Sequence, residues 1–97
     1  MIVRIVKMTF RTDGIKEFTD LFHERRQTIR NFPGCTHLEL WQDSTHENVF
    51  FTYSMWQSET DLDHYRFSDF FKDTWGKTKA LFADKPQAWS VIPRQDL

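Results

Sequence analysis

A chain of 97 residues has room for one hydrophobic core but not for two, so residues 1–97 are expected to form a single domain. With 13 basic and 14 acidic residues the formal charge is −1, a balance that supplies neither the basic footprint of a nucleic-acid-binding protein nor a polybasic membrane patch. A lone cysteine rules out an intrachain disulfide and any thiolate metal cluster, and Cys35 reads as a small buried strand residue.

The opening segment "MIVRIVKMTF" has the β-branched content and length of a strand. Arg4 and Lys7 interrupt its apolar run, it is too short to span a bilayer and it lacks a signal-peptide cleavage pattern, so the expected location is cytoplasmic, with no membrane partner. "RTDG" follows with turn chemistry, and Asp13 is placed to cap the next element. From Ile15 the apolar residues recur at Phe18, Leu21, Phe22, Ile29 and Phe32, the spacing of a helix with one buried stripe. Lys16, Glu17, Asp20, Glu24, Arg25 and Arg26 form its charged side. Pro33 cannot continue that helix, and Gly34 supplies permissive backbone after it.

Residues 35–56 read as a hairpin: a strand carrying "CTHLELWQ", a polar turn "DSTHEN" and a second strand "VFFTYSMW". Ser58 with Asp61 signals the start of a second helical segment that runs to about Phe82. A break is expected near "FSDF", where Ser68 caps a second piece carrying Phe71, Trp75, Thr78 and Phe82 at helical spacing. "QAWSVIPR" is the final strand, with Pro93 near its end, where a missing donor is tolerated.

The order strand, helix, strand, strand, helix, strand is that of a ferredoxin-like α+β fold, a four-stranded antiparallel sheet with both helices on one face. The second face is then open unless another subunit closes it. Ten Phe, four Trp and two Tyr exceed what so small a core hides, and the excess is expected at a subunit interface or in an apolar pocket. An obligate homodimer through the open faces follows.

Strand alternation puts His37, Glu39 and Trp41 on one face of the first hairpin strand and Thr36, Leu38 and Leu40 on the other. Pairing Trp41 with Phe50 sets Glu39 opposite Thr52 and His37 opposite Ser54. This register collects Leu38, Leu40, Val49, Phe51, Tyr53 and Met55 on one apolar face. The opposite face then holds His37, Glu39, Trp41, Phe50, Thr52, Ser54 and Trp56, a mixed aromatic and polar surface. A slip of one residue swaps the faces of the second strand.

On that mixed face His37 or Glu39 is a candidate general base, since an imidazole titrates near neutral pH and a partly buried carboxylate is raised toward it. The structural alternative is that both pair with charges of a facing subunit. His64 and Tyr65, adjacent on the second helix, are further catalytic candidates, whereas His23 and His46 read as solvated. His37 and Glu39 have no third ligand at a fitting spacing, so no metal site is expected.

Pro33-Gly34-Cys35 after an amphipathic helix, Trp56 followed by Ser58 and Glu59, Leu62, and the Ser68 to Phe71 stretch resemble the antibiotic biosynthesis monooxygenase family of dimeric α/β barrel proteins. The resemblance runs over nearly the whole chain. It implies a homodimer with its open sheet faces together and, in each subunit, a small apolar cavity between the sheet and the second helix. It also implies a monooxygenase that uses no metal or flavin and takes dioxygen with a small phenolic, quinol or polyketide-like substrate. Trp41, Phe50, Thr52, Ser54, Trp56, Phe71 and Trp75 are then the expected substrate contacts. Many quinol-oxidising members carry a histidine where this chain has Tyr65, with His64 one position earlier. The haem-degrading branch has an asparagine on the first strand and a tryptophan and a histidine on the second helix, where this chain places Lys7, Tyr65 and Trp75, so haem degradation is disfavoured. Two other readings use the same cavity: sequestration of a small hydrophobic molecule, and an isomerase or lyase reaction.

Overall fold

The computed structural model describes residues 1–96. Strand β1 (Ile2–Thr9) runs through the middle of an antiparallel sheet, followed by helix α1 (Ile15–Arg30), strands β2 (Cys35–Gln42) and β3 (Val49–Trp56), helices α2 (Glu59–Arg66) and α3 (Asp69–Lys79), and strand β4 (Gln87–Val91). The sheet order is β2-β3-β1-β4, which is the ferredoxin-like arrangement expected. All three helices lie against one face.

Local chemistry explains most of the boundaries. Ser58 accepts a hydrogen bond from the Asp61 amide at 3.1 Å, and Ser68 accepts one from the Phe71 amide at 3.1 Å, so each hydroxyl satisfies a donor at a helix start. Ser68 also donates to the Tyr65 carbonyl at 2.6 Å, which ties the end of α2 to the beginning of α3 and makes the break where "FSDF" places it. Gly34 has φ +88°, and a Cβ there would overlap the Asp61 carboxylate, so glycine is required both by conformation and by space. Asp13 does not cap α1: residues Thr12–Gly14 form a 3-10 turn, Gly14 occupies the cap position, and the Asp13 carboxylate accepts from Arg11 Nε at 3.2 Å.

The hairpin register departs from the expected one. His37 pairs with Met55, Leu38 with Ser54, Glu39 with Tyr53, Leu40 with Thr52 and Trp41 with Phe51, one residue away from the pairing read from the turn. The difference is already present at the turn, where Gln42 pairs with Phe50, and a β-bulge between Cys35 and His37 takes it up at the far end, where the extra residue Thr36 lets Cys35 still pair with Trp56. Phe50, Thr52, Ser54 and Trp56 therefore face the helices, while Phe51, Tyr53 and Met55 share the open face with His37, Glu39 and Trp41.

Two apolar clusters form the core on the helix side. One contains Met8, Phe10, Phe18, Phe50 and Leu81, and the other Ile2, Cys35, Trp56 and Leu62, with Phe32 and Tyr65 against it. Trp56 is fully buried and its indole donates to the Ser54 hydroxyl at 3.0 Å, so the one polar atom of the ring is satisfied inside the core.

Candidate functional site

Between these clusters the sheet and the three helices enclose a cavity of about 230 Å³. Its floor is made of successive cross-strand rows. One row is Leu38, Ser54 and Arg4, and the next is Thr52, Val6 and Ala88, with Met8 beyond. Over it stand Phe18, Leu21, Phe22, Arg25 and Ile29 from α1, Leu62, Tyr65 and Arg66 from α2, and Phe71, Thr74, Trp75 and Thr78 from α3. The walls are thus mainly apolar and aromatic, with a few polar groups at fixed points, as in small-molecule sites generally.

The aromatic wall is continuous. Tyr65 stacks on Trp56 with ring centroids 5.1 Å apart and 23° between planes, meets Phe71 edge-on at 5.0 Å, and Phe71 in turn lies parallel to Trp75 at 6.0 Å. Burial pushes the Tyr65 phenol well above its ordinary value, so at neutral pH it is a hydrogen-bond donor and not a base.

The ionisable residues bordering the cavity, apart from Tyr65, are arginines. Arg25 is committed: its Nη1 donates to Asp73 Oδ2 and to Thr74 Oγ1, each at 2.8 Å. Arg4 donates to the Ser90 hydroxyl at 3.0 Å. Burial and the nearby Arg66 lower the Arg4 pKa, opposed by Asp63. Among the described residues no carboxylate or imidazole borders the cavity.

The sequence-derived candidates fall into three places. Thr52, Ser54, Tyr65, Phe71 and Trp75 border the cavity. Phe50 and Trp56 lie in the core beside it. His37, Glu39 and Trp41 stand on the open face, separated from the cavity by the sheet itself. There Glu39 is hydrogen-bonded by the His37 ring and, at 2.8 Å, by the Trp41 indole, and these two bonds hold its carboxyl below the usual range. His64 is exposed on α2 and does not border the cavity. Among the described residues no three His, Cys, Asp or Glu side chains gather as a metal-binding group, and no helix is long and apolar enough to cross a membrane.

Sequence reasoning passed over the arginines. A signal was present for Arg4: the β1 residues Ile2, Arg4, Val6 and Met8 share one face, and a charge inside an otherwise apolar phase of a central strand requires a polar reason.

A family profile described as antibiotic biosynthesis monooxygenase matches residues 1–76. Among solved structures, an antibiotic biosynthesis monooxygenase superposes with a TM-score of 0.91 at 17% identity, covering 98% of this chain and 100% of its own. A conserved protein from Methanosarcina mazei Go1 gives 0.90 at 18% identity, with 97% of this chain and 94% of its own covered. SnoaB, a cofactor-independent oxygenase from Streptomyces nogalater, in a variant form, gives 0.88 at 16% identity over 99% and 95%. At these identities the likeness is one of fold. No curated protein matches the sequence.

Proposed function

Because this chain belongs to the antibiotic biosynthesis monooxygenase family, we propose that it is a cofactor-independent monooxygenase that oxidises a small phenolic, quinol or polyketide-like molecule in the cavity between sheet and helices. The observation that carries the proposal is the cavity itself, an aromatic slot lined by Tyr65, Phe71 and Trp75 with cationic groups at its edge. SnoaB, which shares the fold, is a cofactor-independent oxygenase, and this supports the same class of chemistry here.

Such chemistry needs a substrate that reduces dioxygen once it is deprotonated. In an anthrone, the methylene carbon loses a proton, the resulting anion passes one electron to dioxygen, and recombination forms a carbon–oxygen bond as a hydroperoxide. Loss of water leaves a ketone, so one oxygen atom enters the product and the other leaves as water. The protein contributes orientation, exclusion of water and stabilisation of the anion. Tyr65 donates a hydrogen bond to the anionic oxygen, and Phe71 and Trp75 hold the ring plane. Thr52 and Ser54 line the floor beneath it.

The homodimer belongs to the same proposal, with the open sheet faces in contact and His37, Glu39 and Trp41 between the subunits. His37→Ala is then expected to weaken assembly with turnover changed less than about twofold. A loss of about 100-fold, the scale of a missing general base, would instead put His37 in a reaction cleft between subunits.

One observation favours a second reading, ligand binding without turnover: the cavity lining has no carboxylate or imidazole to take the proton. An oxygen electrode with a panel of hydroquinones and anthrones separates the two. Oxygen uptake above the uncatalysed rate, matched by quinone formation and lost in Trp75→Ala, is the expected result. Saturable binding of the same compounds without uptake would establish the second reading.

A further inference from the structure

Of the arginines around the cavity, two have no carboxylate partner. Arg25 is neutralised by Asp73 and Glu24, but among the described residues neither Arg4 nor Arg66 forms a salt bridge. Arg4 rises from the sheet at the row it shares with Ser54 and Ser90, and Arg66 comes from the last turn of α2, so the two reach the same cavity from opposite layers. They are close enough to repel each other, and Asp63, one turn before Arg66 on α2, attracts Arg4 without bordering the cavity. Two like charges converging on an apolar enclosure, one of them half-buried, cost stability unless an anion joins them. A guanidinium presents a planar fork of donors that matches a carboxylate.

We propose that the Arg4 and Arg66 guanidinium groups bind the carboxylate of an aromatic acid whose ring system lies against Phe71 and Trp75. This inference rests on the reading of the cavity as the substrate site and narrows the substrate from any phenolic molecule to an acidic one. The carboxylate sits between the sheet and α2. The body of the ligand occupies the space bounded by Phe22, Val6 and Thr78, where no lining residue among those described carries a negative charge. An uncharged phenol of the same ring size fills the same space but leaves both guanidinium groups unpaired.

The test is calorimetric titration under nitrogen with two probes of equal ring size, 2-naphthoate and 2-naphthol. The wild-type protein is expected to bind naphthoate at least tenfold more tightly, about 1.4 kcal/mol or more, with affinity falling as salt rises. Arg66→Gln and Arg4→Gln should each weaken naphthoate about tenfold and change naphthol less than twofold. Arg4→Lys should recover part of the loss. Thermal unfolding of each variant verifies that it is folded, and Arg66→Gln, at an exposed position, keeps the test open if Arg4→Gln does not fold. Equal affinity for the two probes, no saturable naphthoate binding, or unchanged naphthoate affinity in Arg66→Gln would overturn the proposal. Binding is measured here without oxygen, so failure to consume oxygen in air would count against the monooxygenase reading and leave the acid site standing.

Discussion

Tyr65 serves both the core and the cavity with one side chain. Its ring closes the second core cluster against Trp56 and Phe32, and the residue also borders the cavity. Removing only the oxygen separates the two roles. Tyr65→Phe is expected to keep stability within about 0.5 kcal/mol while turnover of an anthrone falls on the order of 100-fold, the scale of a lost donor to a developing anion. Unfolding curves and oxygen uptake on the same sample measure both. Trp56, fully buried beneath it, gives the opposite pattern. Trp56→Ala removes a large apolar side chain and leaves a cavity, an expected loss of about 3–5 kcal/mol in chemical denaturation. Residue identity alone did not reveal that contrast. Both rings sit in aromatic-rich segments, and only the register of β3 and the rotation of α2 decide which one meets a ligand.

The starts of α2 and α3 were legible because their chemistry is local. Ser58 and Ser68 act on amides within three residues, so the signal lies inside a short window of sequence. Ser68→Ala should cost about 1 kcal/mol and loosen the junction of α2 with α3, visible as faster amide exchange in Phe70 and Phe71. Gly34→Ala should cost more, since the left-handed conformation adds about 1–2 kcal/mol before the Asp61 overlap is counted. The hairpin register was not legible for the converse reason: it depends on which residues the turn leaves unpaired, and a difference of one there, taken up only by the bulge at Thr36, turned the β3 side chains to the wrong faces. The α1–α3 contact depends on pH. Arg25 and Lys77 hold the Asp73 carboxyl below its ordinary value of 3.8, so the charged form is favoured on folding. The stability it contributes is present above that value and is lost as pH falls through the lowered one. Asp73→Asn should therefore lower the melting temperature at pH 7 and show a shallower further decline on acidification than the wild type.

At the scale of the molecule, the open face presents Glu39, Tyr53, Ile5 and Trp89 in one row and His37, Met55, Val3 and Val91 in the next. Trp41, one row away, and Trp89 are 40% and 43% exposed in the isolated chain, a tryptophan-bearing surface suited to burial against a second copy. Trp89→Asp is expected to convert a dimer to a monomer in light scattering at micromolar concentration, with the helix-side core intact by near-ultraviolet circular dichroism. A wild-type monomer under those conditions would remove the dimer from the proposal. Composition foretold that surplus aromatic surface but not its division between two faces, which only the strand pairings settle. β1 is a party wall. Arg4, Val6 and Met8 look into the cavity and Val3, Ile5 and Lys7 onto the open face, alternating along the strand. A single thickness of peptide divides the two, so a twist of that strand that relieves crowding on one side creates it on the other.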